Sequence, residues 1–292
     1  PELPEVEVVR AGLAPAVQGA WIAGVEVRDS RALKRHHPVG DADPAADFER
    51  RIVGATLAEP VRRGKFMWMP LSLAGGASSG SALLSHLGMS GQMLLREHEA
   101  PDDRHVRVRL WIEHPEHGEL RVDFADQRLF GSLAIDFLVP TDDGFAAGRG
   151  SDAAFIPSQV AHIARDPLDP AFDDAAFFAA LRKRSSAVKR LLLDQGSLSE
   201  VGSISADEAL WRARLHPETA GVDVSARKAT ELIVHVRAVF AQALVEGGTS
   251  FDEQYVNVNG EAGYFAHSLN AYGRGGEPCP RCGGPIKREA FM

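Results

Sequence analysis

The chain has 292 residues, of which 45% are hydrophobic and 25% are charged, which is typical of a soluble globular protein with room for two domains. No apolar run approaches the roughly 18–20 residues that a membrane-spanning helix needs, and two cysteines are too few for a disulfide scaffold. The formal net charge of -8 argues against a polyanionic partner such as DNA. The basic residues are concentrated, however, with Arg62, Arg63 and Lys65 in one group and a second group at 182–190 that contains no acid. Such local groups are compatible with a basic cleft on an acidic body, and an exposed charged face is the alternative interpretation of either group alone.

A helix is predicted over residues 4–18, because apolar residues recur there at helical spacing and a proline suits its first turn. Pro1 and Glu2 precede it. A free N-terminal amine has an ordinary pKa of about 7.7–8.0, so part of it is uncharged and nucleophilic near neutral pH. A secondary amine that condenses with an aldehydic carbon forms an iminium ion, which is an electron sink, and Glu2 is a natural proton shuttle beside it. For Pro1 alone, the alternative is a proline exposed by routine methionine removal.

Short segments of alternating polar and apolar residues follow over about 21–136, and they predict a β-sandwich or barrel. The Gly-, Ser- and Ala-rich stretch 73–81 is predicted to be a loop. Within this region, Gly64 allows a close backbone approach, and Lys65 is predicted to open a strand and to meet a phosphate. The alternative for Lys65 alone is an ordinary surface charge.

Two further motifs in this region combine apolar and basic side chains. Met89 lies between Gly88 and Gly91, which predicts an exposed loop, and an exposed methionine can be inserted between DNA base steps. The alternative for Met89 alone is a position in the hydrophobic core. Arg128 and Phe130 are two residues apart, so on a strand they would share one face. Arginine offers donors for base edges, and phenylalanine offers a stacking plane.

The second half of the chain has a different pattern. Residues 139–175 are rich in Pro and Asp and are predicted to be a linker. Helical spacing then follows, and the predicted helices are 175–193, 207–215 and 228–245. Gly202 interrupts this pattern, and Asp207 and Glu208 are expected in the first turn of the next helix, whose N-terminus could bind phosphate.

The last part of the chain is rich in turns. Residues 246–265 have the Gly and Asn density of a mobile lid. From about 263 onward the pattern predicts short strands and turns. Cys279 and Cys282 are separated by two residues, which is metal-ligand spacing.

Residues 1–7, which read PELPEVE, resemble the N-terminus of the formamidopyrimidine-DNA glycosylase family, bifunctional enzymes that excise oxidised purines. The related endonuclease VIII branch usually has Gly where this chain has Leu3, and it lacks the arrangement of Met89, Arg128 and Phe130. The resemblance therefore favours the oxidised-purine branch. Five further motifs follow in the family's order, and they occupy residues 63–66, 86–92, 126–131, 192–210 and 279–284.

The resemblance implies roles for individual residues. It makes Pro1 the nucleophile, Glu2 the acid and base, and Lys65 a lysine that contacts DNA and assists catalysis. The implied DNA-binding residues are His86, Met89, Arg128, Phe130, Lys189, Gly202, Ser203, Tyr272 and Arg288. The implied lesion-recognition residues are Glu5, Ser250 and Tyr255, and the implied zinc ligands are Cys279 and Cys282.

The chain departs from the family pattern at three points. Ser203 and Ser205 stand where the family has Asn and Tyr. The loss of one hydrogen bond to a charged acceptor costs about 1.5–3 kcal/mol, so we expect weakened DNA binding. The family's zinc ribbon also has a second cysteine pair downstream. We therefore expect Zn²⁺ in a complete protein with a further segment after Met292, and not on two cysteines alone.

Together, these features predict an α+β multidomain protein. It has an N-terminal β-sandwich with a leading helix, a C-terminal helical domain with a helix-two-turn-helix, and a zinc-ribbon-like hairpin. The resemblance implies that damaged double-stranded DNA is the partner of a monomeric protein in the bacterial cytosol, associated with the nucleoid and not with a membrane. The predicted boundaries are 1–138 for the sandwich, 139–175 for the linker, 176–262 for the helical domain and 263–292 for the incomplete hairpin.

The predicted function is that of a bifunctional DNA glycosylase and AP lyase of base excision repair. It would excise 8-oxoguanine and formamidopyrimidines through a Schiff base on Pro1 and β,δ-elimination. One alternative is an endonuclease VIII-type enzyme for oxidised pyrimidines. Another is a paralogue that binds damaged DNA without cutting it, which Ser203, Ser205 and the absent second cysteine pair favour and the presence of Pro1 and Glu2 opposes.

Overall fold

The computed structural model describes residues 2–194, 196, 198–199, 201–248, 257–259 and 265–289. The chain forms two compact units, and each has its own hydrophobic core. Of the described residues, the first unit contains 5–162 and 257–259, and the second contains 2–4, 163–248 and 265–289.

The first unit is built on an antiparallel sheet with two α-helices. The sheet curls in the order β10-β9-β5-β4-β2-β1-β7-β8-β6, with β3 paired to β4, so the predicted β-sandwich with a leading helix is confirmed. Its elements are α1 (Leu3–Val17), β1 (Trp21–Val27), a 3-10 helix (Ser30–Leu33), α2 (Pro44–Ile52), β2 (Thr56–Leu57), β3 (Val61–Arg63), β4 (Phe66–Ser72), β5 (Ser78–His86), β6 (Gly91–Glu97), β7 (Val106–His114), β8 (Gly118–Asp126), β9 (Ser132–Pro140) and β10 (Phe155–Pro157).

Helix α1 is held by the apolar side chains that predicted it. Val6, Val9, Leu13 and Val17 are buried in the core of the first unit. Each fully buried side chain of this size contributes roughly 1.5–3 kcal/mol. The helix therefore depends on packing against the sheet more than on intrinsic helix propensity.

The predicted loop at 73–81 is shorter in the structure. Strand β5 already begins at Ser78, which pairs with Ser72 of β4. The Ser79 hydroxyl donates to the Leu71 carbonyl at 2.8 Å. Cross-strand hydrogen bonds thus outweigh the low strand propensity of glycine and serine in this stretch.

The second unit is helical. Its α-helices are α3 (Asp174–Leu181), α4 (Val188–Leu192), α5 (Ser203–Ala213) and α6 (Ala226–Val245), with 3-10 turns at Gly221–Asp223 and Phe265–Ser268. No helix of the described residues has the length and apolarity that a membrane crossing requires.

The predicted single helix over 175–193 is wrong, because it is two helices separated by an extended stretch. Ala187 forms a β-bridge with Ala220, and the Ser186 carbonyl accepts from the Gly221 N–H at 3.0 Å. Backbone groups that a continuous helix would use internally are therefore committed to the chain around residue 220.

Candidate functional site

The Glu2 side chain lies at the N-terminus of α5. Residues 2–4 belong to the second unit, where Leu3 is fully buried in the helical core. One Glu2 oxygen, Oε1, accepts from the Ile204 N–H at 2.9 Å. The other, Oε2, accepts from the Ser205 N–H at 3.2 Å and from the Ser205 hydroxyl. Three donors thus converge on one carboxylate that is 7% exposed. Pro1 lies outside the described residues.

This carboxylate takes the place of a helix cap. Gly202 is the N-cap of α5 and supplies no side-chain hydrogen bond. The first N–H groups of a helix lack partners within it, and the N-terminus favours a negative charge. Glu2 satisfies both needs from a distant part of the chain. A Cβ atom on Gly202 would overlap the Glu2 carboxylate, so the glycine provides the space for it.

The expected position of Asp207 and Glu208 in the first turn of this helix is wrong. Helix α5 begins at Ser203, so both acids lie in its second turn. The earlier start is possible because Glu2 supplies the cap, and a residue two hundred positions away gives no signal in the local sequence.

Four of the residues predicted to bind DNA line one depression on the second unit. It has a volume of about 840 Å³ and is walled by α5 and by the chain around 271–289. Lys189 also forms an ion pair with Asp207 at 2.7 Å. The four predicted residues on its wall are Lys189, Ser203, Tyr272 and Arg288.

Glu208 has a role in this region that the sequence analysis did not predict. It is fully buried, and its carboxylate accepts from the N–H groups of Asn270, Ala271 and Tyr272 at 2.7–3.0 Å. It therefore orders the turn that carries Tyr272. The local sequence gives no signal for this role, because Asp207 stands beside Glu208 and the N–H donors that a buried charge needs lie 62–64 residues away.

On the first unit, Lys65 lies in the two-residue turn between β3 and β4. Arg63 and Phe66 pair across this turn, and Gly64 adopts a φ of 63°, which favours glycine. Lys65 is half-buried and belongs to the turn. The prediction that it opens the strand is therefore one residue off.

The neighbouring arginines do not form an exposed basic surface. Arg62 is fully buried and donates to Glu7 at 2.8 Å, and buried Arg63 donates to the Ala147 carbonyl at 2.7 Å. These contacts hold α1 and the chain near 147 to β3. The inclusion of this arginine pair in a basic cleft is therefore wrong.

His86 ends β5 close to that turn. Its ring contacts Phe66 at 4.7 Å between centroids, and its Nδ1 accepts from the Gly88 N–H at 3.2 Å. Burial, together with the nearby cations Arg35 and Lys65, lowers the pKa of His86 to about 4. The ring is therefore neutral at physiological pH and carries its hydrogen on Nε2, which makes that atom a donor.

Met89 and Phe130 occupy two loops of the first unit and are 53% and 51% exposed. The exposed loop position predicted for Met89 is confirmed. The shared strand face that the spacing of Arg128 and Phe130 would give is not formed, because β8 ends at Asp126 and Leu129 has a φ of 58°. The two side chains are therefore presented by a turn and not by one face of a sheet.

These two loops are joined through Asp126, a second group that the sequence analysis missed. Its carboxylate accepts from the Ser90 hydroxyl at 2.5 Å, from the Arg128 N–H at 3.2 Å and from the Gly131 N–H at 2.7 Å. A Cβ atom on Gly88 would overlap the backbone at 130–131. The loops are thus packed too closely for any side chain between them.

The three predicted lesion-recognition residues are only partly described. Glu5 is buried in α1, at 6% exposure. Ser250 and Tyr255 lie outside the described residues, together with most of the predicted lid.

The two cysteines lie on a turn near the end of the chain. The Trp211 ring N–H donates to the Cys279 sulfur at 3.5 Å, and this contact and nearby backbone N–H groups lower the pKa of Cys279 to about 7. Such a thiol suits a metal. The described residues contain no group of three or more His, Cys, Asp or Glu side chains that could hold one. Two thiols do not make a four-ligand zinc site, so the residues present do not fit the metal by themselves.

Comparison with known proteins gives one consistent result. Residues 1–133 match the formamidopyrimidine-DNA glycosylase N-terminal domain, and residues 163–254 match the H2TH domain of the same family. A formamidopyrimidine-DNA glycosylase of Leifsonia xyli is 58% identical over 292 residues, which is 100% of this chain and 95% of that protein.

Solved structures agree. The MutM (Fpg) protein of Thermus thermophilus is 31% identical with a TM-score of 0.75, covering 100% of this chain and 94% of that one. A mutant Lactococcus lactis Fpg in complex with DNA containing Fapy-dG is 25% identical with a TM-score of 0.78, covering 100% and 95%. The chain belongs to the formamidopyrimidine-DNA glycosylase family.

Proposed function

We propose that this chain excises oxidised purines, 8-oxoguanine and formamidopyrimidines among them, and then cleaves the DNA strand as an AP lyase. The coarser function follows from the family: the chain is a DNA glycosylase of base excision repair, and damaged DNA is its partner. The Lactococcus relative bound to Fapy-dG DNA supports the substrate class. The observation that carries the proposal is the Glu2 carboxylate, ordered by three donors one residue after Pro1.

In the proposed reaction, the damaged nucleotide is everted and the Pro1 amine attacks C1′ of its sugar. The bond from C1′ to the base breaks, and its electron pair leaves with the base. The C1′–O4′ bond then breaks as O4′ takes up a proton, which opens the sugar ring and leaves an iminium ion between the amine and C1′. This iminium ion makes the proton on C2′ acidic. Loss of that proton expels the 3′ phosphate, and a second elimination expels the 5′ phosphate. Glu2 donates and accepts the protons of these steps.

The remaining predicted residues hold the DNA. Lys65 and the Nε2 hydrogen of neutral His86 contact phosphates from the first unit, and the depression that Ser203 and Tyr272 line receives phosphates on the second. Met89, Arg128 and Phe130 fill the space that the everted nucleotide leaves. No step depends on a metal.

Borohydride trapping tests this proposal. The substrate is a duplex with one 8-oxoguanine opposite cytosine, and the protein is compared with Pro1→Gly and Glu2→Gln variants. We expect a covalent adduct at Pro1 that is greatly reduced in the Pro1→Gly variant, and strand cleavage that is greatly reduced in the Glu2→Gln variant.

The same experiment distinguishes the alternatives. Binding to the damaged duplex without an adduct would identify a protein that binds lesions but does not cut. An adduct that forms faster on a duplex with an oxidised pyrimidine would instead identify the endonuclease VIII type of specificity.

A further inference from the structure

The Ser205 side chain is the part of the Glu2 environment that the proposed function leaves unused. It lies in the first turn of α5 and is fully buried. Its hydroxyl donates to Glu2 Oε2, the same oxygen that accepts from its own backbone N–H. The hydroxyl thus adds a side-chain donor to a carboxylate that two backbone amides already bind.

The hydroxyl differs chemically from those two amides. A backbone N–H can only donate, so the amides of Ile204 and Ser205 stabilise the ionised form of Glu2 alone. A hydroxyl can donate and accept. It donates to the carboxylate, and after Glu2 has taken up a proton it can rotate and accept a hydrogen bond from the new O–H group.

We propose that Ser205 is a positioning residue that holds Glu2 in one orientation through both protonation states of the reaction. This inference rests on the proposed acid and base role of Glu2. Without the hydroxyl, protonated Glu2 would lose the acceptor that Ser205 offers, and ionised Glu2 would lose the donor that Ser205 offers.

The test compares Ser205→Ala with Ser205→Thr, which keeps the hydroxyl. Ser199→Ala is the matched control, because Ser199 is also fully buried and its hydroxyl has no partner among the described residues. The readouts are single-turnover cleavage of the 8-oxoguanine duplex from pH 5 to 9 and titration of the ¹³C-labelled Glu2 carboxyl group by NMR.

In Ser205→Ala we expect the midpoint of the Glu2 titration and the acidic limb of the pH–rate profile to move to higher pH by about one unit, because the hydrogen bond to the ionised carboxylate is stronger than the one that the hydroxyl accepts from the protonated form. The cleavage rate should fall about tenfold or more, while the affinity for the duplex is unchanged. Ser205→Thr should restore both readouts, and Ser199→Ala should match the unmodified protein.

Two results would overturn the inference in different ways. If neither readout moves in a folded Ser205→Ala protein while Glu2→Gln remains inactive, the hydroxyl has no role and the proposed function stands. If the NMR titration moves but the pH–rate profile does not, the contact is real and Glu2 is not the group that handles the protons. The second result would remove the acid and base role of Glu2 together with this inference, whereas borohydride trapping at Pro1 tests the excision reaction separately.

Discussion

At the scale of single residues, three of the buried carboxylates in the described part of the chain order the backbone near residues that were predicted to bind DNA. Glu2 binds the N-terminus of α5, Asp126 binds two loops together, and Glu208 holds the turn at 270–272. In each case the acceptor is charged and the donors are mainly backbone N–H groups, which makes the hydrogen bonds roughly twice as strong as neutral ones. Asp126 and Glu208 therefore support the candidate site without any need to contact DNA, whereas Glu2 belongs to the site itself.

Gly202→Ala tests the packing around Glu2. The backbone of Gly202 has a φ of -95°, which alanine adopts readily, so any effect must come from the overlap of the new methyl group with the carboxylate. We expect cleavage to fall at least about tenfold, which corresponds to about 1.4 kcal/mol in activation free energy. Gly196→Ala is the control, because the nearest atom to its new Cβ lies at an ordinary 3.4 Å. Equal activity of the two variants would contradict the prediction.

The lowered pKa of His86 predicts a pH dependence of stability. The unfolded chain takes up a proton on this ring near the ordinary pKa of 6.5, whereas the folded protein does so only near 4. The unfolded state therefore binds more protons between these values, so stability is lost as pH falls from 6.5 towards 4. We expect His86→Gln to remove up to roughly 3 kcal/mol of this loss, measured by denaturant unfolding across that range. If the free energy of unfolding depends on pH in the same way in the unmodified protein and in His86→Gln, the prediction is contradicted.

At the scale of elements, hydrogen bonds connect the two loops of the first unit that carry Met89 and Phe130. Met89 and Phe130 are exposed on different loops, but Ser90 and Asp126 connect the backbones beneath them. Lys34 adds a hydrogen bond to the Leu129 carbonyl at 2.8 Å. Under the proposed function, Met89 and Phe130 enter the DNA, and their loops must keep their conformation when they do so. The hydrogen bonds beneath these side chains hold the loops in place.

Asp126→Asn is expected to show the effect of losing the support of the two loops, as distinct from losing a side chain that contacts DNA. The amide group of asparagine cannot accept at both positions, so the hydrogen bonds from Ser90 or Gly131 are lost. We expect the free energy of unfolding to fall by about 2 kcal/mol or more, with a loss of lesion cleavage. Phe130→Ala is the comparison, since it removes an exposed side chain and should reduce cleavage with no loss of stability. Unchanged stability in Asp126→Asn would show that the network does not hold the loops.

At the scale of the whole molecule, an acidic protein acts on a polyanion. The net charge is -8, and of the two basic groups in the sequence the arginine pair 62–63 is buried in structural contacts. The second group, at 182–190, keeps Arg182, Lys183 and Arg190 exposed, so the cations available to DNA are local. Binding should be driven by individual phosphate contacts and should depend strongly on salt.

Lys189→Gln tests one such contact. Lys189 lies on the wall of the depression, and we expect its loss to weaken damaged and undamaged duplexes alike and to reduce the slope of log affinity against log salt by about one. Arg227→Gln is the control, because Arg227 is exposed and pairs with Glu231 on α6, away from the depression. A slope that changes equally in both variants would contradict a specific phosphate contact.

The sequence by itself determined the family, the helix before the sheet, the helical second half and the exposed position of Met89. These features depend on local patterns, namely apolar spacing, turn glycines and short motifs, which are properties of neighbouring residues. Three features were decided only by the tertiary structure: the start of α5 at Ser203, the turn that carries Arg128 and Phe130, and the burial of Arg62. Each depends on a carboxylate with at least one partner in another element: Ile204 for Glu2, Ser90 for Asp126 and Arg62 for Glu7. Such pairings become possible only when folding brings distant segments within hydrogen-bond distance.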